Sequence, residues 1–222
     1  MTAVLHVISD RLRNRRPIED VLAASLQGGA DCVQIREKRA PASDTLALAL
    51  DLLHIIAEFS LKGQVLVNDR LDVAMAADIH GVHLAAKSLP VAVAHDLRRR
   101  FSWPGVIGCS VHGLDEAMDA QRAGADYVTF GHVFPSLSHT DREPQGLAAL
   151  RRVVENLSIP VIAIGGIDSS NVGSVLETRC SGVAVIGAVI DADNPLQATR
   201  DLKYVMSKSS CEPRLSFPNL RD

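Results

Sequence analysis

Aromatic residues are scarce in this chain: one Trp, two Tyr and five Phe make up 4% of its 222 residues. Ala, Val, Leu and Ile must therefore build the core, a composition that suits parallel strands covered by helices. Cysteine is sparse as well. Cys32, Cys109, Cys180 and Cys211 lie far apart with no CxxC pair, which argues against a disulfide framework and against a cysteine zinc site. No apolar run approaches the roughly 18 residues of a membrane span. The opening MTAVLHVISD has no basic stretch leading into a long apolar one, so a secretory signal is not expected. Charge of one sign is missing too: 23 Lys and Arg against 26 Asp and Glu give a net charge of −3, which provides no basic face for nucleic acid. These absences point to a cytoplasmic protein with reduced thiols and with neither a membrane nor a nucleic-acid partner.

Hydrophobic residues are plentiful, at 47%, enough for one large core, and 200–250 residues is a common size for a single α/β barrel. Short apolar runs rich in β-branched residues occur at Val4–Ser9, Cys32–Arg36, Gln64–Asn68, Gly81–His83, Gly105–Ser110, Tyr127–Phe130, Pro160–Ile164 and Val183–Ile186. Between them lie helical patterns near residues 17–27, 43–60, 70–77, 89–100, 114–123, 146–156, 169–177 and 194–206. Strands alternating with helices of this length imply βαβ units and a parallel sheet. Eight such units predict an α/β fold, a single (β/α)8 TIM barrel over residues 1–206, followed by a flexible C-terminal tail, 207–222, that has no periodicity. Ser43 and Asp44, Asp168 and Ser169, and Pro195 read as helix-start residues. The phrase Gly-Ala-Asp-x-Val occurs at Gly29–Val33 and again at Gly124–Val128, with a related Ser181-Gly182-Val183 before the eighth strand. The recurrence suggests one unit used several times. Small barrels often form homodimers, and that state is left open, because no sequence feature marks an interface.

In such a barrel the strand C-termini carry the active site. Polar or glycine residues follow every predicted strand: Asp10, then Arg36-Glu37-Lys38, Asn68-Asp69-Arg70, His83, Ser110 with His112, Gly131-His132, Gly165-Gly166 and Gly187-Ala188. Gly165, Gly166, Gly187 and Ala188 follow the seventh and eighth strands, where barrels commonly hold phosphate and where glycine lets backbone N–H groups approach the oxygens. The plainer reading is that these glycines only make tight turns. Arg36 and Lys38, two residues apart, point to one side of an extended strand and offer two cations to an anionic substrate. Glu37 or Asp69 could instead neutralise them. His132 ends the sixth strand beside a loop and could exchange a proton at physiological pH, unless it is a histidine satisfied by a backbone carbonyl. His83, His112 and His139 compete with it. No HxH or HExxH spacing suggests a histidine metal site.

The phrases Gln34-Ile35-Arg36-Glu37-Lys38, Asn68-Asp69-Arg70, Gly81-Val82-His83-Leu84, Gly108-Cys109-Ser110-Val111-His112 and Ile164-Gly165-Gly166-Ile167 resemble the thiamine phosphate synthase superfamily over about residues 4–195. The resemblance implies either a synthase, which joins a pyrimidine pyrophosphate to a thiazole phosphate using magnesium, or a TenI-type protein. Synthases of this kind typically read H-x-G-Q-E-D after the fourth strand, the final Asp helping to hold magnesium. Here the run is His83-Leu84-Ala85-Ala86-Lys87-Ser88. After the sixth strand they usually carry G-P-x-F-P-T-x-T-K, whereas this chain has His132 for the proline and His139 for the lysine. Both departures favour the TenI-type branch, which implies a thiazole tautomerase that aromatises a carboxythiazole phosphate by moving one proton. His132 is then the implied acid/base, and neither a metal nor a cofactor is required. The thiazole phosphate partner would rest its phosphate on Gly165, Gly166, Gly187 and Ala188, with Arg36 or Lys38 meeting its carboxylate. Asn68, Ser110 and His112 are further substrate-contact candidates. Two alternatives stand beside this: a thiamine phosphate synthase with an impaired magnesium site, and a non-catalytic thiazole-phosphate binder.

Overall fold

The computed structural model describes residues 2–13, 16–136 and 143–218. Eight strands follow one another: β1 Val4–Ile8, β2 Cys32–Ile35, β3 Gln64–Asn68, β4 Gly81–Leu84, β5 Val106–Val111, β6 Tyr127–Gly131, β7 Val161–Ile164 and β8 Gly182–Val185. Each pairs in parallel with the next, and β8 returns to β1 through Val4–Gly182 and His6–Ala184, closing the barrel. Helices α1 Ile18–Gln27, α2 Ala42–Glu58, α3 Leu71–Ala76, α4 Val91–Arg100, α5 Leu114–Arg122, α6 Gly146–Asn156 and α7 Val172–Leu176 connect them. Short α8, Gly187–Ile190, and α9, Pro195–Ser207, complete the ring. The expected (β/α)8 barrel is thus present. The four-residue α8 was not foreseen, being too short to show a helical period.

Alternation along the strands divides the core in two. Leu5, Val7, Val33, Val65, Val82 and Val128 pack outward against the helices. Ile8, Cys32, Leu66, Val106, Tyr127, Ile162 and Ala184 form a second cluster within the barrel. The helix starts differ from those expected. Pro41 precedes α2, so Ser43 and Asp44 lie inside its first turn and bond to each other. Asn171 precedes α7, and Asp168 instead receives the N–H and hydroxyl of Ser170 in the turn before it. Pro195 does occupy the first turn of α9, capped by Asn194.

The Gly-Ala-Asp repeat has a physical basis at the N-terminal end of the barrel. Asp31, just before β2, accepts the N–H of Leu5 in β1 at 2.7 Å and pairs with Lys203 of α9 at 2.6 Å. Asp126, just before β6, accepts the N–H of Ile107 in β5 at 2.7 Å and pairs with Arg98 of α4. His80 does the same for Val65 at 3.0 Å, and Ser181 for Val161 at 3.2 Å. One polar residue before each even-numbered strand therefore satisfies an N–H of the preceding strand that would otherwise be left unpaired.

Residues beyond α9, expected to form a loose tail, make specific contacts as far as Pro218. Pro213 is buried, the Arg214 N–H donates to the Arg179 carbonyl at 2.9 Å, and the Arg214 guanidinium donates to the Val154 carbonyl at 3.0 Å. Phe217 meets His6 and Tyr127 edge-on, with ring centroids 4.7 and 4.9 Å apart. Gln64 donates to the Pro218 carbonyl at 3.2 Å. The segment crosses the N-terminal mouth and sets one aromatic ring against the interior cluster. A single anchoring ring produces no periodicity, so this docking has no signature in the sequence.

Candidate functional site

At the C-terminal mouth, two cavities lie over β1–β3. One cavity of about 270 Å³ is lined by Asp10, Arg11, Arg36, Glu37, Lys38 and Asp44, among others. A neighbouring one of about 200 Å³ is lined by Arg36, Lys38, Asn68, Asp69 and Arg70. Arg36, Glu37 and Lys38 all line both, so the two-residue spacing does not by itself single out the cations. The acids that could have neutralised them are engaged elsewhere. Glu37 accepts the Ser9 hydroxyl at 2.7 Å and Arg11 at 3.1 Å. Among the described residues, Arg36 has a looser partner in Asp10, at 3.6 Å. Arg70 is turned to Asp72, which it grips with two hydrogen bonds.

Asn68, at the end of β3, is held through its Oδ1 by Gln34 Nε2 at 2.9 Å. Its Nδ2 donates to Asp69 at 2.6 Å. The other Asp69 oxygen accepts the Ser88 hydroxyl, whose oxygen in turn accepts the Ala85 N–H at 2.7 Å. Both oxygens of the one exposed acid at this point are thus occupied by protein donors. Magnesium binds through carboxylates and substrate phosphates with several waters retained. Ser88 contributes a hydroxyl where the synthase pattern has a second carboxylate, and among the described residues no cluster of three His, Cys, Asp or Glu could hold a metal. These residues do not fit a two-carboxylate magnesium site.

Across the mouth, Ser110 in β5 is half-buried, and its hydroxyl lies 2.9 Å from Nε2 of buried His83. Burial pulls the His83 pKa down to about 4; Asp69 acts upward against it and Arg36 downward with it. The imidazole is therefore neutral at physiological pH. His112 is placed differently. Its N–H and ring nitrogen both meet Glu116, at 2.8 and 3.2 Å, tying it to the first turn of α5.

The β7 and β8 ends are tighter. Gly165 and Gly166 have φ of 102° and 64°, backbone that favours glycine. The β6–α6 loop lies on them: Phe134 N–H donates to the Gly165 carbonyl at 3.1 Å. A Cβ at Gly165 would lie 2.6 Å from His132 Cα, and one at Gly166 would lie 2.8 Å from Phe134 Cβ. His132 is buried at 4% exposure, and it lines neither of the two cavities over β1–β3. His139 falls outside the described residues. Gly187 and Ala188 begin α8, where a Cβ on Gly187 would lie 3.0 Å from an Arg13 guanidinium nitrogen. Arg13 is held there by Asp191, its Nε 3.0 Å from Oδ1, and Arg16 donates to the Ala192 carbonyl at 3.1 Å. Beside the expected phosphate cradle there is thus an Arg13 guanidinium ion-paired with Asp191, whose Oδ2 lies just as near to Gly187. The reading of the sequence missed it; its one visible signal was the basic run Arg11–Arg16 after the first strand.

Residues 5–189 match the family described as thiamine monophosphate synthase. The thiamine-phosphate synthase of Pyrococcus furiosus is 39% identical over 204 residues, 92% of this chain and 95% of that protein. That of Chloroflexus aurantiacus is 38% identical, covering 91% and 92%. A solved thiamine phosphate pyrophosphorylase from Pyrococcus furiosus superposes with a TM-score of 0.83 at 38% identity, over 92% of this chain and 96% of that one. A 3-hexulose-6-phosphate synthase, 16% identical with a TM-score of 0.68, shares the fold alone. The expectation of a thiazole tautomerase does not stand against relatives that are named synthases at this identity and coverage, and the acid/base role given to His132 loses its reaction with it. From the matched span and the identity of its relatives, the chain belongs to the thiamine monophosphate synthase family.

Proposed function

We propose that this protein is a thiamine-phosphate synthase, a transferase that joins a pyrimidine pyrophosphate to a thiazole phosphate and releases pyrophosphate. The observation that carries this reading is 39% identity with a synthase across 92% of the chain. Two groups of residues at the mouth support it, each suited to an anion in this reading. Gly165, Gly166, Gly187 and Ala188, with Arg13 alongside, suit the thiazole phosphate, since closely approaching backbone N–H groups and a guanidinium recognise phosphate oxygens. Arg36 and Lys38 at the β2 end suit the pyrophosphate. Asn68 at the end of β3 and Ser110 in β5 add uncharged hydrogen-bonding groups.

Transfer breaks the bond from the pyrimidine methylene carbon to pyrophosphate oxygen and forms one from that carbon to the thiazole nitrogen. Negative charge grows on the leaving pyrophosphate, where fixed cations stabilise it more than they stabilise the ground state. His132, packed against Gly165, supports the phosphate turn in this reading. Ser88 makes the enzyme one with an impaired magnesium site, so no step is assigned to a metal. Pyrophosphate release, followed with each half-substrate omitted in turn, tests the proposal. Release is expected only when both are present. Tight binding of the thiazole phosphate with no release would overturn it in favour of a non-catalytic binder.

A further inference from the structure

Below the mouth, a line of hydrogen bonds runs down the inside of the barrel. The Tyr127 hydroxyl lies 3.1 Å from His83 Nδ1, and His83 Nε2 lies 2.9 Å from Ser110 Oγ. Thr129 Oγ1 approaches His83 Nε2 at 3.3 Å and Ser110 Oγ at 3.4 Å. Tyr127 is fully buried and His83 is 2% exposed. Of these groups, only Ser110 reaches the rim.

A neutral imidazole has one donor nitrogen and one acceptor nitrogen. Burial pushes the Tyr127 pKa well up, so the phenol keeps its proton. That proton needs an acceptor. His6 faces Tyr127 edge-on with ring centroids 6.0 Å apart, and neither His6 nitrogen has a hydrogen-bond partner among the described residues. Nδ1 of His83 is the nitrogen within reach. If Nδ1 accepts, Nε2 carries the ring proton and donates to Ser110. With Thr129 donating to the same oxygen, both Ser110 lone pairs are engaged and its own proton points away from the barrel interior.

We propose that Tyr127 and His83 form a positioning relay that fixes the His83 tautomer and thereby presents Ser110 to the bound substrate as a hydrogen-bond donor. The relay rests on the synthase reading only in assigning Ser110 a substrate. Two measurements test it. Nitrogen-15 NMR of the intact protein is expected to show His83 protonated on Nε2, with Nδ1 accepting; a His83 protonated on Nδ1 would overturn the proposal. Calorimetry with the pyrimidine pyrophosphate then compares wild type, Tyr127→Phe, Ser110→Ala and the double variant. Loss of one such hydrogen bond weakens binding by about two- to tenfold. Tyr127→Phe is expected to cause that loss in wild type and almost none in the Ser110→Ala background, because coupled residues are non-additive. Equal losses in both backgrounds would show that Tyr127 acts through general packing and would overturn the relay. Wild type that binds neither half-substrate would count against the synthase reading, whereas the tautomer result bears on the relay alone.

Discussion

Tyr127 fills the space that a side chain on Gly108 would occupy: a Cβ there would collide with the Tyr127 ring and hydroxyl. The glycine in β5 and the tyrosine in β6 are paired neighbours. Gly108→Ala must therefore displace a fully buried ring, an overpacking change that costs about 1–3 kcal/mol. A lower urea midpoint with an unchanged slope is expected. Full stability would mean that the ring has another place to go.

The acids at the N-terminal end of the barrel are expected to behave as acceptors for strand N–H groups. Asp126→Ala leaves the Ile107 N–H and Arg98 without their shared partner, a loss of about 1–3 kcal/mol. Asp126→Asn keeps an acceptor oxygen and should recover part of that loss in the same unfolding measurement. Identical losses for the two variants would assign the stabilisation to charge alone.

Phe217 places one ring against His6 and Tyr127. Because the residue is only part-buried, Phe217→Ala is expected to cost about 1–2 kcal/mol, below the range for a fully buried Phe. Hydrogen exchange at the N-terminal ends of β1 and β6 should rise with it. An unchanged midpoint and unchanged exchange would show that the segment does not bear on the barrel.

Ser88→Asp places a second carboxylate beside Asp69, which Ser88 now engages with its hydroxyl. Divalent affinity follows the number of charged ligands. Manganese binding without substrates, followed by electron paramagnetic resonance, is expected to tighten about tenfold. Equal affinity in the two proteins would show that residue 88 does not limit metal binding.

His83 and His6 are both held neutral by burial, with pKa values pulled from 6.5 down to about 4 and about 3. In the unfolded chain they take up protons below about pH 6.5, whereas the folded protein does not until lower pH. Their contribution to stability is therefore present above pH 6.5 and lost progressively as pH falls from there towards 4 and 3. His6→Gln should flatten this part of the stability–pH curve. A curve of unchanged slope would contradict the assignment.

Much of the barrel was legible in the sequence because short apolar runs rich in β-branched residues alternate with helical patterns, and the Gly-Ala-Asp phrase recurs before two of the strands. The positions of Arg36, Lys38, Asn68 and Ser110 at or just beyond strand ends were legible too, while their contacts with substrate belong to the proposal. Other features had no local signature. Arg13 reaches the start of α8 across the closure between β8 and β1, a long-range contact that one loop arginine does not announce. Phe217 docks without periodicity, and the placement of Tyr127 depends on what faces it across the barrel. The functional inference went astray for a different reason. Ser88 and His139 are single positions, and they were given more weight than the remainder of the chain, which carries the 39% identity.

The most direct measurement incubates the purified protein with the pyrimidine pyrophosphate and the thiazole phosphate, with and without magnesium, and separates the products by chromatography. Thiamine phosphate and pyrophosphate should appear in equal amounts and only when both half-substrates are present. Failure to form thiamine phosphate under either condition, with protein that is folded and binds the thiazole phosphate, would contradict the synthase assignment.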